Sequence, residues 1–246
     1  MLDFLTGASC VFRGIPLLLR PGVRRYVIAP LLINLLAFVA LVWFGISQFA
    51  GLLAWLETVL PAWLSWLDWL LWPLFVLVAV LAGFVVCLLL ATLIAAPFTG
   101  PLAAAVETRL RGRAPSSEGG FIMESIAALA GEARKLGYFA LRAAPLGLLT
   151  LVPGVNLVAV PLWLLFSAWM LALEYAEVPL GNHGLTFPAV RARLAQRRML
   201  ALGFGATLLA LTLIPLLNLL VMPVAIAGAT VLVCEEGEAS GVRGEA

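Results

Sequence analysis

The sequence predicts an all-α integral membrane protein with two long transmembrane helices, two re-entrant helical hairpins and amphipathic interfacial helices. Of its 246 residues, 63% are hydrophobic and 11% are charged, whereas soluble domains average roughly 45 to 50% apolar and about 25% charged residues. Two uncharged runs exceed the length of about 20 residues that a helix needs to cross a bilayer. Two later apolar blocks are each interrupted near the middle by a proline, which breaks a helix.

The same composition argues against several classes of protein. A net charge of +2, carried by scattered basic residues, does not indicate a nucleic-acid partner. Cys10, Cys87 and Cys234 are far apart in apolar surroundings, so they predict neither disulfides nor a metal site. No Ser-His-Asp, Cys-His or paired-carboxylate pattern is evident, so we expect a protein that is not an enzyme and needs no metal or cofactor.

The N-terminal part of the chain contains the predicted spanning helices. Residues 1–20 carry Asp3 and Arg13 inside a short apolar stretch, which favours a helix lying at the membrane interface. The runs 26–49 and 73–96 carry no charge and are the two predicted transmembrane helices.

Charge returns after the second run. Residues 101–144 carry acidic and basic residues, with apolar residues recurring at helical spacing, which predicts amphipathic helices on the aqueous side. The final segment, 234–246, is polar, acidic and rich in glycine, so we expect a disordered tail.

The two interrupted blocks, 145–173 and 199–233, form an internal repeat. Thr-Leu-Val-Pro at 150–153 recurs as Thr-Leu-Ile-Pro at 212–215, and an asparagine follows three residues after each proline. Half of the first block is about 14 residues, or about 21 Å of helix, which cannot cross about 30 Å of hydrocarbon. Both blocks are therefore predicted to be re-entrant hairpins.

The arginines predict the topology. Arg13, Arg20, Arg24 and Arg25 precede the first span, the following loop has no Lys or Arg, and basic residues return after the second span. Because basic residues favour cytoplasmic segments, both termini are predicted to be cytoplasmic. Re-entrant backbone must be buried in protein or line a wet cavity, so we expect a homo-oligomer in the lipid bilayer.

The leading candidate site is Pro21-Gly22-Val23-Arg24-Arg25, which opens directly into the first span. A helix start offers N–H groups without intrahelical acceptors, and the guanidinium is a forked donor. We expect the N–H groups of residues 22–24 and the guanidinium of Arg24 or Arg25 to bind a tetrahedral oxyanion. The alternative is that the arginines are topology anchors, and the same side chains can serve both purposes.

Other charged residues allow more than one interpretation. Glu107 and Arg109 belong either to an ion path or intersubunit charge network, or to a solvated helix end. Glu174, at the edge of an apolar segment, is expected to have an arginine partner. Glu174, Glu177 and His183 are close in sequence, but their loose spacing and the lack of a nearby cysteine argue against a metal site.

Three asparagines lie in the apolar segments. Asn34, Asn156 and Asn218 either donate to a passing oxyanion or cap broken helices. Capping is the preferred interpretation.

Several segments, taken together and in order, carry a family resemblance. They are PGVRR running into PLLIN at 30–34, APFTGPLAAAVE at 96–107, the breaks VPGVN and IPLLN, AWMLALEYAEVPLGNHGLTF at 168–187 and AGAT at 227–230. Over nearly its whole length the sequence thus resembles the sulfate permease CysZ family.

The resemblance implies sulfate uptake across the bacterial inner membrane for cysteine synthesis, without an ATP-binding module in the chain. It also implies a homo-oligomer with two spanning helices and pairs of helices that penetrate only part way. The family's Gly-Leu-Arg oxyanion turn maps onto Gly22, Val23 and Arg24, with Arg25 beside it. Val23 replaces the leucine and leaves the backbone donors intact. Thr99 stands where the family's Pro-Phe-Asn-Gly has asparagine, so a side-chain role is not carried over there.

The mode of transport and one alternative function follow from the same residues. The lone histidine, His183, lies in a loop, so no titratable relay for protons is evident and we expect passive or weakly coupled transport. The alternative is a structural scaffold whose half-inserted hairpins shape the bilayer and whose arginines are anchors. Sulfate uptake into proteoliposomes separates the two.

Overall fold

A computed structural model describes residues 2–59, 68–112, 121–152 and 154–239. Within these ranges all the regular structure is helical and there is no β-strand, which confirms the all-α prediction. The helices are α1 (Leu2–Leu18), α2 (Arg25–Val59), α3 (Asp68–Arg111), α4 (Phe121–Thr150), α5 (Asn156–Gly181), α6 (Phe187–Gln196), α7 (Arg198–Thr212) and α8 (Pro215–Ala239).

The chain divides into two compact units. One unit holds the chain before Tyr26 together with everything from Thr99 onward, and the other holds residues 26–98. In the first unit, α1 and α5 both pack against α7 and α8, and α4 packs against α5. The turn before α2 and the C-terminal part of α3 belong to this unit, so the candidate site is built within it.

One face of α1 is part of the core of this unit. Gly7 lies so close to α7 that a Cβ atom there would sit 2.0 Å from Leu200 O, and a Cβ on Gly14 would sit 2.5 Å from Gly228 N of α8. Backbones approach this closely only where side chains are absent, so the small residues of α1 are contact points. The sequence predicted only an interfacial helix here. The backbone contacts of α1 with α7 and α8 could not be predicted, because they depend on residues far along the chain.

Two helices of the described residues are long and apolar enough to cross a membrane: Arg25–Gln48, within α2, and α5. The first agrees with the predicted span 26–49, although α2 continues as a helix to Val59. The predicted span 73–96 lies inside α3, which runs without a break to Arg111. The helix therefore continues through Pro97 and Pro101, past the predicted end of the span. In lipid, opening the backbone costs more than the one hydrogen bond that a proline removes from a continuous helix.

The first predicted hairpin needs a correction. Residues 151, 152, 154 and 155 separate α4 from α5, where the sequence placed the break, whereas Pro153 itself lies outside the described residues. However, α4 has 30 residues and α5 has 26. The re-entrant hairpin at 145–173 was predicted from half-helices of about 14 residues. This helix length is wrong, because both helices extend beyond the apolar block. In the second block α7 has only 15 residues, so the hairpin at 199–233 stays a prediction.

The C-terminal segment also differs from the prediction as far as it is described. Residues 234–239 continue α8, and two of their carboxylates are paired: Glu235 with Arg13, and Glu236 with Arg193 at 3.7 Å. These partners lie on α1 and α6, so the order of the segment depends on tertiary contacts. Residues 240–246 of the predicted tail, and the loop-like residues 113–120, lie outside the described residues.

Candidate functional site

The turn that joins α1 to α2 holds the leading candidate site. Gly22 has a φ of +94°, which is the left-handed region that side-chain-bearing residues rarely adopt. The N–H groups of Val23 and Arg24 both donate to Arg20 O, at 3.1 and 3.2 Å. The side chain of Val23 is buried, whereas Arg20 and Arg24 are exposed. A buried apolar residue thus anchors a turn whose cations face outward.

These bonds change the predicted donor set. The sequence assigned the N–H groups of residues 22–24 to an oxyanion, but those of Val23 and Arg24 already have Arg20 O as an acceptor. Only the N–H group of Gly22 makes no hydrogen bond to a described residue. The backbone therefore offers one donor here in place of three, and the guanidinium groups must supply the rest.

Arg109, from the last turn of α3, completes this group of cations. Its Nη2 donates to Pro21 O at 2.6 Å, and a Cβ on Gly22 would lie 3.5 Å from that nitrogen. The sequence marked Arg109 as a charge-network candidate but did not connect it with the turn, since no local pattern links residues so far apart. We call residues 20–25 together with Arg109 the arginine turn.

Three arginines of this turn have no counter-charge among the described residues. Arg20, Arg24 and Arg109 make no ion pair with any carboxylate of the described residues. Arg25, the first residue of α2, is exposed beside them. Guanidinium groups so arranged attract an anion, and their forked N–H groups match the oxygens of a tetrahedral oxyanion.

Glu107 lies on α3 close to Arg109 in sequence, yet its surroundings are the opposite. Its carboxylate is 3% exposed and contacts His183 Nε2 at 2.8 and 2.9 Å and Arg111 Nη1 at 3.0 Å. Arg111 Nη2 also donates to Cys234 O of α8 at 3.1 Å. The solvated-helix-end interpretation is therefore wrong for Glu107, because its burial and its contacts with Arg111 and His183 make it a structural link between α3, α8 and the loop after α5.

Glu174 and Glu177 form a separate cluster. Lys135 Nζ of α4 lies 2.7 Å from Glu177 Oε2 and 3.4 Å from Glu174 Oε2. The expected arginine partner of Glu174 is therefore wrong, and the cation is the chain's lysine. His183 contacts Glu107 instead, so the three residues weighed as a metal site do not form one group.

The three asparagines named in the sequence analysis are described one by one, because no contact joins them among the described residues. Asn34 is inside α2, where its Oδ1 is buried without a hydrogen-bond partner among the described residues. Asn156 is exposed at the start of α5, whose N-cap is Val155 without a side-chain bond, so the capping interpretation is wrong for Asn156. Asn218 lies in α8, and its side chain lies outside what the structure describes.

The fold and the site together define an all-helical membrane protein with an exposed arginine cluster. A family model described as "Sulfate transporter CysZ/Etoposide-induced protein 2.4" matches residues 10–223. Three similar proteins are each named "Sulfate transporter CysZ". The protein of Pseudomonas paraeruginosa PA7 is 43% identical over 97% of this chain and 99% of its own length. That of Pseudomonas fluorescens Pf-5 is 46% identical over 92% of each chain, and that of Pseudomonas syringae pv. tomato DC3000 is 39% identical over 92% of this chain and 90% of its own.

The chain therefore belongs to the CysZ/etoposide-induced protein 2.4 family, as the resemblance of its motifs predicted. The relatives are named as transporters, which is not a class of enzyme.

Proposed function

We propose that this protein transports sulfate into the bacterial cytoplasm across the inner membrane, and that the sulfate serves cysteine synthesis. The names of its relatives support sulfate as the substrate. The observation that carries the proposal is the arginine turn, where Arg20, Arg24 and Arg109 surround a left-handed glycine and have no carboxylate partner among the described residues.

Sulfate binds at this turn through Gly22 N–H and the guanidinium groups of Arg24 and Arg25. A helix terminus alone contributes about 0.3 to 1 kcal/mol, whereas each hydrogen bond to a charged group contributes about 1.5 to 3 kcal/mol. The arginines therefore supply most of the affinity. Val23 keeps the backbone in place, because its buried side chain fixes the turn to the fold.

Sulfate crosses the membrane in a homo-oligomer whose termini are cytoplasmic. One chain has two helices of spanning length among its described residues, too few to enclose a hydrophilic route by themselves. Transport is passive or weakly coupled, since the single histidine of the chain lies in the loop after α5, in contact with Glu107 and outside both candidate spans.

Uptake of radioactive sulfate into proteoliposomes tests the proposal. Wild-type protein should admit sulfate in a saturable manner, with or without an imposed pH difference. Replacing both Arg24 and Arg25 by alanine should weaken sulfate binding by roughly a hundredfold, because two charge-assisted contacts are lost. The measurements are the initial rate of uptake and the sulfate affinity of the same preparation by titration calorimetry.

The matched control is the double variant Arg134→Ala, Arg198→Ala. It removes two exposed arginines from α4 and α7, so the net charge changes by the same amount and uptake should stay at the wild-type rate. Equal losses in both double variants would reject the turn as the binding site. Folded, reconstituted wild-type protein without uptake would reject transport and favour the scaffold.

A further inference from the structure

A second group of cations lies around the side chain of Tyr138, and the arginine turn does not include it. The guanidinium carbon of Arg142 lies 4.5 Å from the centre of the Tyr138 ring, and that of Arg191 lies 5.2 Å from the same point. Tyr138 and Arg142 are one turn apart on α4, whereas Arg191 comes from α6. We call these three residues the Tyr138 cluster.

The tyrosine ring is held in place by neighbouring helices. Trp169 Nε1 of α5 donates to the Tyr138 hydroxyl oxygen at 2.9 Å. Phe187 of α6 meets the ring in an edge-to-face contact, with centres 5.8 Å apart. Because these contacts fix the ring, its negative π face is a stable platform for a cation.

The two cations on this ring have no counter-charge in the part of the chain that the structure describes. The guanidinium carbons of Arg142 and Arg191 can be no further apart than the sum of their distances to the ring centre, so the two charges repel each other. Both side chains are exposed, and neither pairs with a carboxylate of the described residues. A bound anion removes the repulsion, and phosphate oxygens suit the forked donors of arginine.

The surface beside these cations is apolar and aromatic. Phe139, three residues before Arg142, is half exposed, and its ring lies 5.5 Å from that of Phe166 on α5. Trp163 lies 5.8 Å from the same phenylalanine ring. Aromatic side chains next to cations are typical of the level of lipid headgroups, and α5 is one of the candidate spans. A small soluble anion contacts only the cations of such a surface, whereas a phospholipid contacts both the cations and the aromatic side chains.

We propose that the Tyr138 cluster binds the phosphate group of an anionic phospholipid. Arg142 and Arg191 contact the phosphate oxygens, and the acyl chains lie along Phe139 and Trp163. This site is separate from the arginine turn and does not depend on sulfate transport.

Binding of a fluorescent phosphatidylglycerol to the full-length protein in detergent micelles tests the site. Replacing Arg142 and Arg191 together by alanine should weaken binding by about twenty-five-fold, because each basic residue at a membrane surface contributes about a factor of five. Tyr138→Leu, which removes the ring, should also weaken it, whereas Tyr138→Phe keeps the ring and should bind as the wild type does. Sulfate uptake by the double variant should match the wild type.

The control is again Arg134→Ala, Arg198→Ala, which should leave phosphatidylglycerol binding unchanged. An equal loss in this control would show a general effect of charge and overturn the proposal. Displacement of the lipid by inorganic phosphate or sulfate would overturn it too, since the cluster would then be a site for a soluble oxyanion. Equal binding of fluorescent phosphatidylcholine by wild type and double variant, together with a loss for phosphatidylglycerol, would support it.

Discussion

Arg109 and Arg111 lie two residues apart on α3 and have opposite surroundings. Arg111 contacts the buried carboxylate of Glu107 and the carbonyl of Cys234. Among the described residues, Arg109 donates a hydrogen bond to the carbonyl oxygen of Pro21 and pairs with no carboxylate. The difference indicates that Arg111 holds helices together, whereas Arg109 adds charge to a surface on which an anion from outside the chain can bind.

The same division separates the other arginines of this unit. Arg13, Arg193 and Arg197 pair with Glu235, Glu236 and Asp3. These pairs join α1, α6 and α8 or the ends beside them, so they support the packing of helices. Arg20, Arg24 and Arg109 of the arginine turn, and Arg142 and Arg191 of the Tyr138 cluster, have no such carboxylate partner among the described residues.

The largest expected effect tests the structural side of the comparison. Glu107→Ala removes the acceptor shared by Arg111 and His183 inside a buried contact, so we expect a loss of about 2 kcal/mol in the free energy of unfolding. Thermal unfolding in detergent measures it. Glu174→Ala is the control, because that carboxylate is largely exposed and its removal should change the unfolding midpoint little. Equal shifts in the two variants would mean that Glu107 is not a structural link.

A smaller effect tests the binding side. Arg109→Ala removes one guanidinium and frees Pro21 O, so sulfate affinity should fall about tenfold, or about 1.4 kcal/mol. The unfolding midpoint should change little, because Arg109 is exposed and substitutions at exposed positions usually change stability little.

Arg111→Ala is the matched variant on the same helix. It should show the opposite pattern, with a lower unfolding midpoint and sulfate affinity close to that of the wild type. Titration calorimetry and thermal unfolding of both variants give the four values needed. If both variants lose affinity equally, the assignment of different roles to the two arginines is wrong.

The smallest effect concerns Glu236, a paired carboxylate of α8. Burial raises its pKa above the ordinary value of 4.5, while Arg193 and Arg197 act in the opposite direction. Because the folded protein then binds this proton more tightly than the unfolded chain, stability falls as pH rises from about 4.5 through the raised pKa. Glu236→Gln should therefore unfold about 2 °C higher than the wild type at neutral pH and equally at low pH. Parallel curves of unfolding midpoint against pH would contradict the expected sign.

Much of the candidate site was readable from local sequence. The Pro-Gly-x-Arg-Arg pattern before a long apolar run indicated a cationic helix start, whereas the left-handed conformation of Gly22 was seen only in the structure. The pattern did not reveal that Arg20 O accepts from the N–H groups of Val23 and Arg24, since a turn's internal bonds depend on its full geometry. Nor did it reveal Arg109, which reaches Pro21 from another helix.

Local sequence predicted the position of the break between α4 and α5 but not the lengths of the two helices. The Pro-Gly pair at 153–154 predicts a helix break from local sequence alone. The described helices agree, because α4 ends at Thr150 and α5 begins at Asn156. The lengths of the two helices are not local, because α4 and α5 continue as helices into charged segments. Hydropathy alone therefore underestimated the lengths of α4 and α5.

The sequence by itself determined the chemical class of this protein: apolar runs long enough for a bilayer, all-helical structure and arginines at helix ends. These properties follow from composition and spacing, which act within a few turns of helix. Only the tertiary structure decided which charges are paired. Whether Glu107 meets His183, or Arg13 meets Glu235, depends on the packing of helices that are distant in sequence. This packing leaves Arg20, Arg24 and Arg109 without a carboxylate partner among the described residues.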